Sequence, residues 1–416
     1  MNQKLFLASM KAFLNNEMLQ WEEDVSFEEW DEVFQIANKQ NTLAMIYQST
    51  FGCPALLNAV PSEYLKMLKQ RTMQDVFLQI RKTQEFLKLY QSLRNNGLEP
   101  IVVKGIVCRN LYGNPDNRIS GDEDLYIPKE QYGAYRKALY EAGMIVPEEF
   151  LSHEEIDYEV SYVGKDFPLL LEIHKSLFAE ESDAYAGMNE RFAKAFENSV
   201  VIEIENVPIR TMGYSDHLLF LILHAYKHFI HSGFGIRQVC DMVMFANVYG
   251  SQIDWKFIYD QCKIIHADVF TAALFDIGYQ HLNFDPEKAC YPKFWQEMEV
   301  DSWDLLQDLL DAGVYGDADM SRKHSSNITL NAVMSEKQGK KAKASVLRTL
   351  FPPKETIKGR YPWLEKHSFL LPFAWVNRIW HYAWQQKKRS PEDNAAESIK
   401  IGGQRVELMK KYKIIK

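Results

Sequence analysis

The sequence predicts an α/β fold of the α+β kind, in which a mixed-sheet unit sits between helical regions. Three observations predict it. Apolar residues recur at three- and four-residue intervals up to about residue 97 and again beyond 212, the spacing of helices with one buried face. Between about 98 and 212, short β-branched or alternating runs mix with brief helical patterns, the order expected of an α/β sheet unit. At 416 residues the chain is also longer than one core usually fills, so two or three domains are expected. The predicted division is an N-terminal helical region (1–97), an α/β core (98–212), a helical domain (213–320) and a basic, aromatic-rich C-terminal region (321–416).

Each element follows from local pattern. Trp30 to Tyr47 carries apolar residues mostly on one helical side, and Ser62 to Asn95 is a long periodic helix. Pro61 suits the start of that helix and Asn95-Asn96-Gly97 its end. Pro100 to Val103 reads as a strand, Ile106 to Tyr112 as a short helix, and Gly113 to Asn117 as a loop. A strand over Asp122 to Ile127 precedes a helix from Pro128 to Ala142, closed by Gly143. Tyr158–Val163 and Leu169–His174 are strands joined like a hairpin, and Val200 to Arg210 adds another pair. Ser215 and Asp216 can cap a helix over Leu218–Ile230, Ile236–Val248 follows, and further helices run to about 312. Ser321 to Lys343 is polar and lysine-rich, a linker or loop. Val346 to Trp384 mixes prolines and aromatics at helical spacing and leads into Lys387-Lys388-Arg389, and no solenoid-type repeat occurs.

Composition narrows the class. With 46% hydrophobic and 25% charged residues the chain matches soluble globular proteins rather than disordered ones. Its five cysteines are scattered and form no C-x-x-C pair, which argues against a disulfide framework or zinc knuckle and suits a reducing compartment. The first residues do not read as a signal peptide. No transmembrane segment is expected, since the nearest apolar run, Ser368 to Trp384, is broken by Asn377, Arg378 and His381. A cytoplasmic protein is the expectation. The net charge of −8 hides an asymmetry: from Ser321 to Lys416 there are 21 Lys and Arg against 7 Asp and Glu, a net +14, so the first 320 residues carry −22. Such a tail can dock on its own acidic body, hold phosphates, or contact RNA or an anionic surface.

The chemistry concentrates in the core. Asp122 and Asp124 lie two apart on a strand and so project from the same side. Like charges that close are costly without a cation between them, so the spacing points to a divalent metal. Glu172 stands inside the apolar run Phe167 to His174, where an unpaired charge would be expensive, and shared metal binding would explain it.

Lys104-Gly105, the segment Arg118…Gly121-Asp122-Glu123-Asp124-Leu125, and Leu171-Glu172-Ile173-His174 together resemble the DNA polymerase β-type nucleotidyltransferase superfamily. Within it they are most similar to a bacterial group of uncharacterised nucleotidyltransferases, over roughly residues 98 to 250. The resemblance implies a polymerase β-like core that moves a nucleoside monophosphate from an NTP such as ATP to an acceptor hydroxyl. It implies two Mg²⁺ ions, with Mn²⁺ as an alternative, held by Asp122, Asp124 and Glu172, which are also the catalytic residues. Lys104, Gly105, Arg118, Ser120 and Lys227 would bind the nucleotide. The acceptor could be a small molecule, a sugar phosphate, RNA or a protein hydroxyl. Three departures stand out: Glu123 occupies a position that is usually apolar, Glu172 replaces a commoner Asp, and Lys-Gly replaces a Gly-Ser turn. They keep open a catalytically degenerate nucleotide-binding or scaffold protein with the same fold.

Blander readings stand beside each residue. The Asp122 and Asp124 carboxylates could serve as loop caps, Arg118 could pair with Asp122 rather than phosphate, and Glu172 could be an exposed edge charge. His174 shares the face of Glu172, as a residue supporting the site or a half-buried histidine. His224, His228 and His231 lie at i, i+4 and i+7, with Lys227 beside them and Asp241 on the next helix. They could bind zinc, close over a nucleotide, or simply pack. Trp363, Phe369, Phe373, Trp375, Trp380, Tyr382 and Trp384 read as core or domain interface, with RNA or membrane-surface contact as the alternative.

Overall fold

A computed structural model describes residues 2–152, 154–180, 182, 184–185, 187–314, 320–337, 354–357, 361–364, 367–377 and 395–416. The chain opens with helices α1 (Asn2–Leu14), α2 (Phe27–Lys39), α3 (Leu43–Thr50), α4 (Pro54–Ala59) and the long α5 (Ser62–Asn95). The periodic stretch Trp30 to Tyr47 is two helices rather than one, because Asn41 takes a left-handed conformation (φ +52°) between them. Buried Gln40 stabilises that break. Its amide donates to the carbonyls of Leu309 and Leu310, and its oxygen accepts from the Ile236 N–H.

The core has mixed α and β structure, as its patterning predicts. Its strands are β1 (Ile101–Val103), β2 (Glu123–Tyr126), β3 (Met144–Ile145), β4 (Glu159–Gly164), β5 (Leu170–His174), β6 (Val200–Ile204) and β7 (Val207–Thr211). They form one seven-stranded mixed sheet in the order β3-β4-β5-β2-β1-β7-β6. The β2/β5 and β1/β7 pairs are parallel and the others antiparallel. Between β1 and β2 lies α6 (Gly105–Arg109), and between β2 and β3 a 3₁₀ turn at Lys129–Gln131 leads into α7 (Tyr132–Glu141). Gly164 ends β4 because the hairpin leaves no room for a side chain: a Cβ there would meet the Phe167 carbonyl oxygen at 2.4 Å.

Strand alternation divides the core into two layers. Val102, Leu125, Leu171 and Ile173 face one way and pack with α5 and α7, in a cluster with Phe86, Tyr90, Tyr135 and Leu139. Ile101 and Val103 face the other way, into the larger core formed with the N-terminal helices and the second helical set. That set comprises α8 (Tyr214–His231), α9 (Ile236–Tyr249), α10 (Trp255–Ile264), α11 (Asp268–His281), α12 (Lys293–Gln296), α13 (Trp303–Ala312), α14 (Met320–Lys337), a short α15 (Lys354–Ile357) and α16 (Ala395–Lys411). No helix among the described residues is long and apolar enough to cross a membrane.

Three local expectations are corrected. Ser215 and Asp216 do not cap α8, which begins at Tyr214. They lie in its first turn, where Asp216 accepts from Asn198 and Ser215 Oγ accepts from the Asp254 N–H. Ser321 to Lys337 is not a linker but most of α14, packed against α8 and α16. Its sparse apolar residues, Ile328, Ala332 and Val333, are buried, and Arg322 pairs with Asp308 at 2.7 Å. The remainder of that stretch, 338–343, lies outside the described residues. Phe369 and Phe373 are exposed rather than core, although Trp375 packs on a small cluster around Tyr361 and Leu364. Trp380, Tyr382, Trp384, Lys387, Lys388 and Arg389 lie outside the described residues. The basic C-terminal region docks in part on the acidic body, with Lys411 on Asp301 and Asp304.

Candidate active site

β1 ends in a turn that the sequence can make only under strain. Lys104 holds φ +53° and ψ −129°, an unfavourable conformation for a residue with a Cβ, and Gly105 follows at φ +36°. The strained peptide is tied down from behind. The Lys104 N–H donates to His217 Nε2 (3.2 Å), and His217 Nδ1 donates to Thr211 Oγ1 (3.2 Å), whose hydroxyl donates to the Val102 carbonyl (2.7 Å). Burial pushes His217 down to about 3, so it stays neutral and keeps this donor and acceptor order. Gly105 is obligatory here because a Cβ would stand 2.0 Å from Glu123 Oε2.

That carboxylate explains the charged residue between the two aspartates. Glu123 points away from them, to the α5 side of the sheet, and is 2% exposed. It accepts from the Ile106 N–H at 2.7 Å and pairs with buried Arg109 at 2.6 Å. Arg109 also donates to Ser120 Oγ and Thr83 Oγ1. Burial raises the Glu123 pKa against the opposing pull of Arg109.

On the opposite face the carboxylates converge. β2 and β5 run parallel with Asp124 beside Glu172, and β4 places Glu159 beside His174. Asp124 Oδ1 lies 2.9 Å from His174 Nε2 and accepts from the Lys104 ammonium at 3.1 Å. His174 Nε2 lies 3.9 Å from Glu172 Oε2, and its Nδ1 lies 3.4 Å from Glu159 Oε2. Asp124, Glu172 and His174 each offer one ligand atom within 4.8 Å of the others, a grouping able to hold a metal ion. The buried Asp124 Oδ2 has no hydrogen-bond partner, as expected of an oxygen reserved for a cation.

Charge crowding sets the protonation states. Burial opposes the charge on Asp124, but Lys104 and His174 outweigh it and hold the carboxyl down at about 2. Burial, then the charges of Glu159, Asp124 and Asp122, push Glu172 up to about 9. Burial and then Asp124 raise Asp122 as well. Lys104 is buried too, yet Asp124, Asp122 and Glu172 keep its ammonium charged. Burial pushes His224 and His228 far down, with Lys104 adding to the effect, so both rings are neutral.

The eight residues that the resemblance assigns to catalysis, metal or nucleotide line one cleft of about 200 Å³: Asp122, Asp124, Glu172, Lys104, Gly105, Arg118, Ser120 and Lys227. Arg118 does not pair with Asp122. It grips Asp241 of α9 with two nitrogens and Ser120 Oγ with the third, and Tyr112 adds a further bond to Asp241 at 2.7 Å. His224 and His228 reach the cleft, where Lys104 Nζ donates to His224 Nε2 at 3.0 Å, while His231 does not line it. Among the described residues, these histidines are not part of a metal-type cluster. Sequence reasoning missed Arg109, Glu159, His217 and Arg237. A charged residue amid apolar neighbours was the available signal for Arg109, and the position of Arg237 beside Gln238 and Asp241 at the start of α9 was the signal for Arg237.

A family model described as an uncharacterised nucleotidyltransferase matches residues 26–278, more than half of the chain. The chain belongs to this nucleotidyltransferase family. The matched span holds β1 through β7 together with α8 and α9, so it contains every cleft residue named above. For this nucleotidyltransferase, no curated protein and no solved structure matches.

Proposed function

We propose that the cleft transfers a nucleoside monophosphate from an NTP to an acceptor hydroxyl in a divalent-metal-dependent reaction of the polymerase β type, with Mg²⁺ or Mn²⁺ as the ion. The observation that carries this reading is the meeting of Asp124 and Glu172 across paired strands, beside Asp122 and under Lys104. The donor set fits a hard dication: clustered carboxylates, one buried oxygen without a partner, and a glutamic acid whose proton a cation would displace. Asp122, Asp124 and Glu172 would hold it, and its chemistry would be to neutralise phosphate charge and polarise the transferred phosphoryl group.

The remaining work falls to the protein's own groups. Nucleotidyl transfer needs positioning and charge neutralisation more than covalent chemistry. Lys104, fixed by its strained turn, presents its ammonium at the carboxylates. Lys227 and Arg237 line the cleft with Gly105 and Ser120, and the two cations would face the triphosphate. Arg118, being engaged by Asp241, shapes the loop 118–121 that carries Ser120 and leads into Asp122. The acceptor is chosen outside this cradle, by the flanking helices.

The test is Asp122→Asn and Asp124→Asn, each assayed for pyrophosphate release from the common ribonucleoside triphosphates and for Mn²⁺ binding. Loss of both activities is expected. Wild-type levels of both would end the reading. The Lys104–Asp124 ion pair, which balances the site with no metal, favours one second reading, a nucleotide-binding scaffold. That protein would bind NTP without releasing pyrophosphate under any acceptor mixture.

A further inference from the structure

We infer that His174 is a direct metal ligand, completing with Asp124 and Glu172 a mixed oxygen–nitrogen site that prefers Mn²⁺ or a similar transition-metal dication to Mg²⁺. The inference rests on the metal-dependent transfer proposed above and names its ion. It begins with spacing. Around an octahedral ion with bonds of about 2.1 Å, ligand atoms stand about 3 Å apart when adjacent and about 4 Å apart when opposite. His174 Nε2 lies 2.9 Å from Asp124 Oδ1 and 3.9 Å from Glu172 Oε2, so the ring nitrogen belongs to the same coordination shell as the two carboxylates.

The second observation is what stands behind the ring. A metal-bound histidine characteristically gives its other N–H to a carboxylate, which fixes the tautomer and leaves the inner nitrogen lone pair for the ion. Here Nδ1 faces Glu159 Oε2 at 3.4 Å, from the strand paired directly with β5. Nδ1 makes no hydrogen bond in this conformation, so its N–H is available to that carboxylate, and the His174 residue is only 3% exposed. The ring therefore sits on a rigid strand between one carboxylate that can orient it and two that can share an ion with it. The second oxygen of Asp124, Oδ2, is buried and has no hydrogen-bond partner.

Ion preference follows from the nitrogen. Mg²⁺ takes hard oxygen ligands and keeps its waters, whereas Mn²⁺ accepts imidazole more readily. A site of carboxylates alone would give Mg²⁺ no such handicap.

The experiment uses the full chain and the metal ions alone. Mn²⁺ binding is followed by electron paramagnetic resonance, Mg²⁺ by competition, and nitrogen coordination by electron spin-echo envelope modulation. Wild-type protein is expected to bind Mn²⁺ at least about tenfold more tightly than Mg²⁺ and to show ¹⁴N coupling from a bound imidazole. His174→Gln should lose the coupling and weaken Mn²⁺ by about 10- to 100-fold, with a much smaller change for Mg²⁺. Absence of ¹⁴N coupling in Mn²⁺-loaded wild-type protein overturns the assignment without needing any variant to fold. Equal weakening of both ions by His174→Gln overturns it as well. In either case, if Asp124→Asn still abolishes Mn²⁺ binding, the transfer reading stands. Failure of wild-type protein to bind Mn²⁺, alone or with NTP, overturns both.

Discussion

Replacing Glu123 by Gln tests whether the unusual charge between the two aspartates is structural. Gln keeps the size of the side chain and an oxygen for the Ile106 N–H but removes the charge opposite Arg109. Arg109 is 1% exposed, so its guanidinium would be left with only the Ser120 and Thr83 hydroxyls as acceptors. Breaking a buried pair from one side costs about 3–5 kcal/mol, because the remaining charge is uncompensated. Arg109→Met should cost a comparable amount. The double variant Glu123→Gln, Arg109→Met removes both charges of the pair and should recover most of the loss, since neither partner is left uncompensated. Urea unfolding followed by circular dichroism gives the three free energies, and hydrogen exchange of the α6 amides locates the change. A Glu123→Gln loss under about 1 kcal/mol, the range of exposed pairs, with additive singles, would refute the reasoning.

Two further outcomes follow from the same site. Gly105→Ala places a methyl group 2.0 Å from Glu123 Oε2 at φ +36°, and should lower stability by about 1–3 kcal/mol while loosening the Lys104 turn; an unchanged thermal midpoint would contradict this. Glu172 sets a pH dependence. Its folded pKa of about 9 lies above the ordinary 4.5, so the folded state keeps a proton that the unfolded chain has lost, and its contribution to stability falls as pH rises between those values. Metal-free protein should show this falling slope in urea unfolding across the window, and Glu172→Gln should flatten it; an identical slope in the variant would refute the assignment.

Much of the core was legible because its signals are local. The strand pattern around Asp122–Ile127 and Leu169–His174 fixes which residues share a face, and the parallel pairing of β2 with β5 then sets Asp124 beside Glu172. The long helix α5 was readable from its period, and its ends from Pro61 and Gly97. What escaped depends on distant partners. Arg118 and Asp241 stand 123 positions apart, and no local pattern couples them. Lys104 and His217 meet only because β7 lies beside β1 and delivers α8 to the end of the turn. Helix α14 was missed for a different reason. Its polar, lysine-rich composition read as a linker, yet Ser325 and Thr329 direct their hydroxyls to carbonyls one turn back while Arg322 finds a buried aspartate on α13.

The three departures that invite a degenerate reading can be weighed by charge. Asp122, Asp124, Glu159, Glu172 and Asp241 line the cleft against Lys104, Arg118, Lys227 and Arg237. Arg118 pairs with Asp241 and Lys104 with Asp124, so two of these four Lys and Arg side chains are already held by carboxylates of the cleft. Five carboxylates against four Lys and Arg side chains give the lining no positive excess, and raising Glu172 to about 9 relieves one negative charge. In the proposed reading, Asp124 and Glu172 would hold a dication that offsets their charge, which would leave the Lys104 ammonium available for phosphate. Lys104 in place of a small polar residue therefore does not argue against catalysis. Its ammonium offsets the buried Asp124 carboxylate, and in the proposed reading the same group would serve the substrate phosphate. A scaffold that bound nucleotide without metal would have no use for the unpartnered Asp124 oxygen or for a glutamic acid held protonated beside it. Both features support the proposal that a cation binds in this cleft beside the nucleotide.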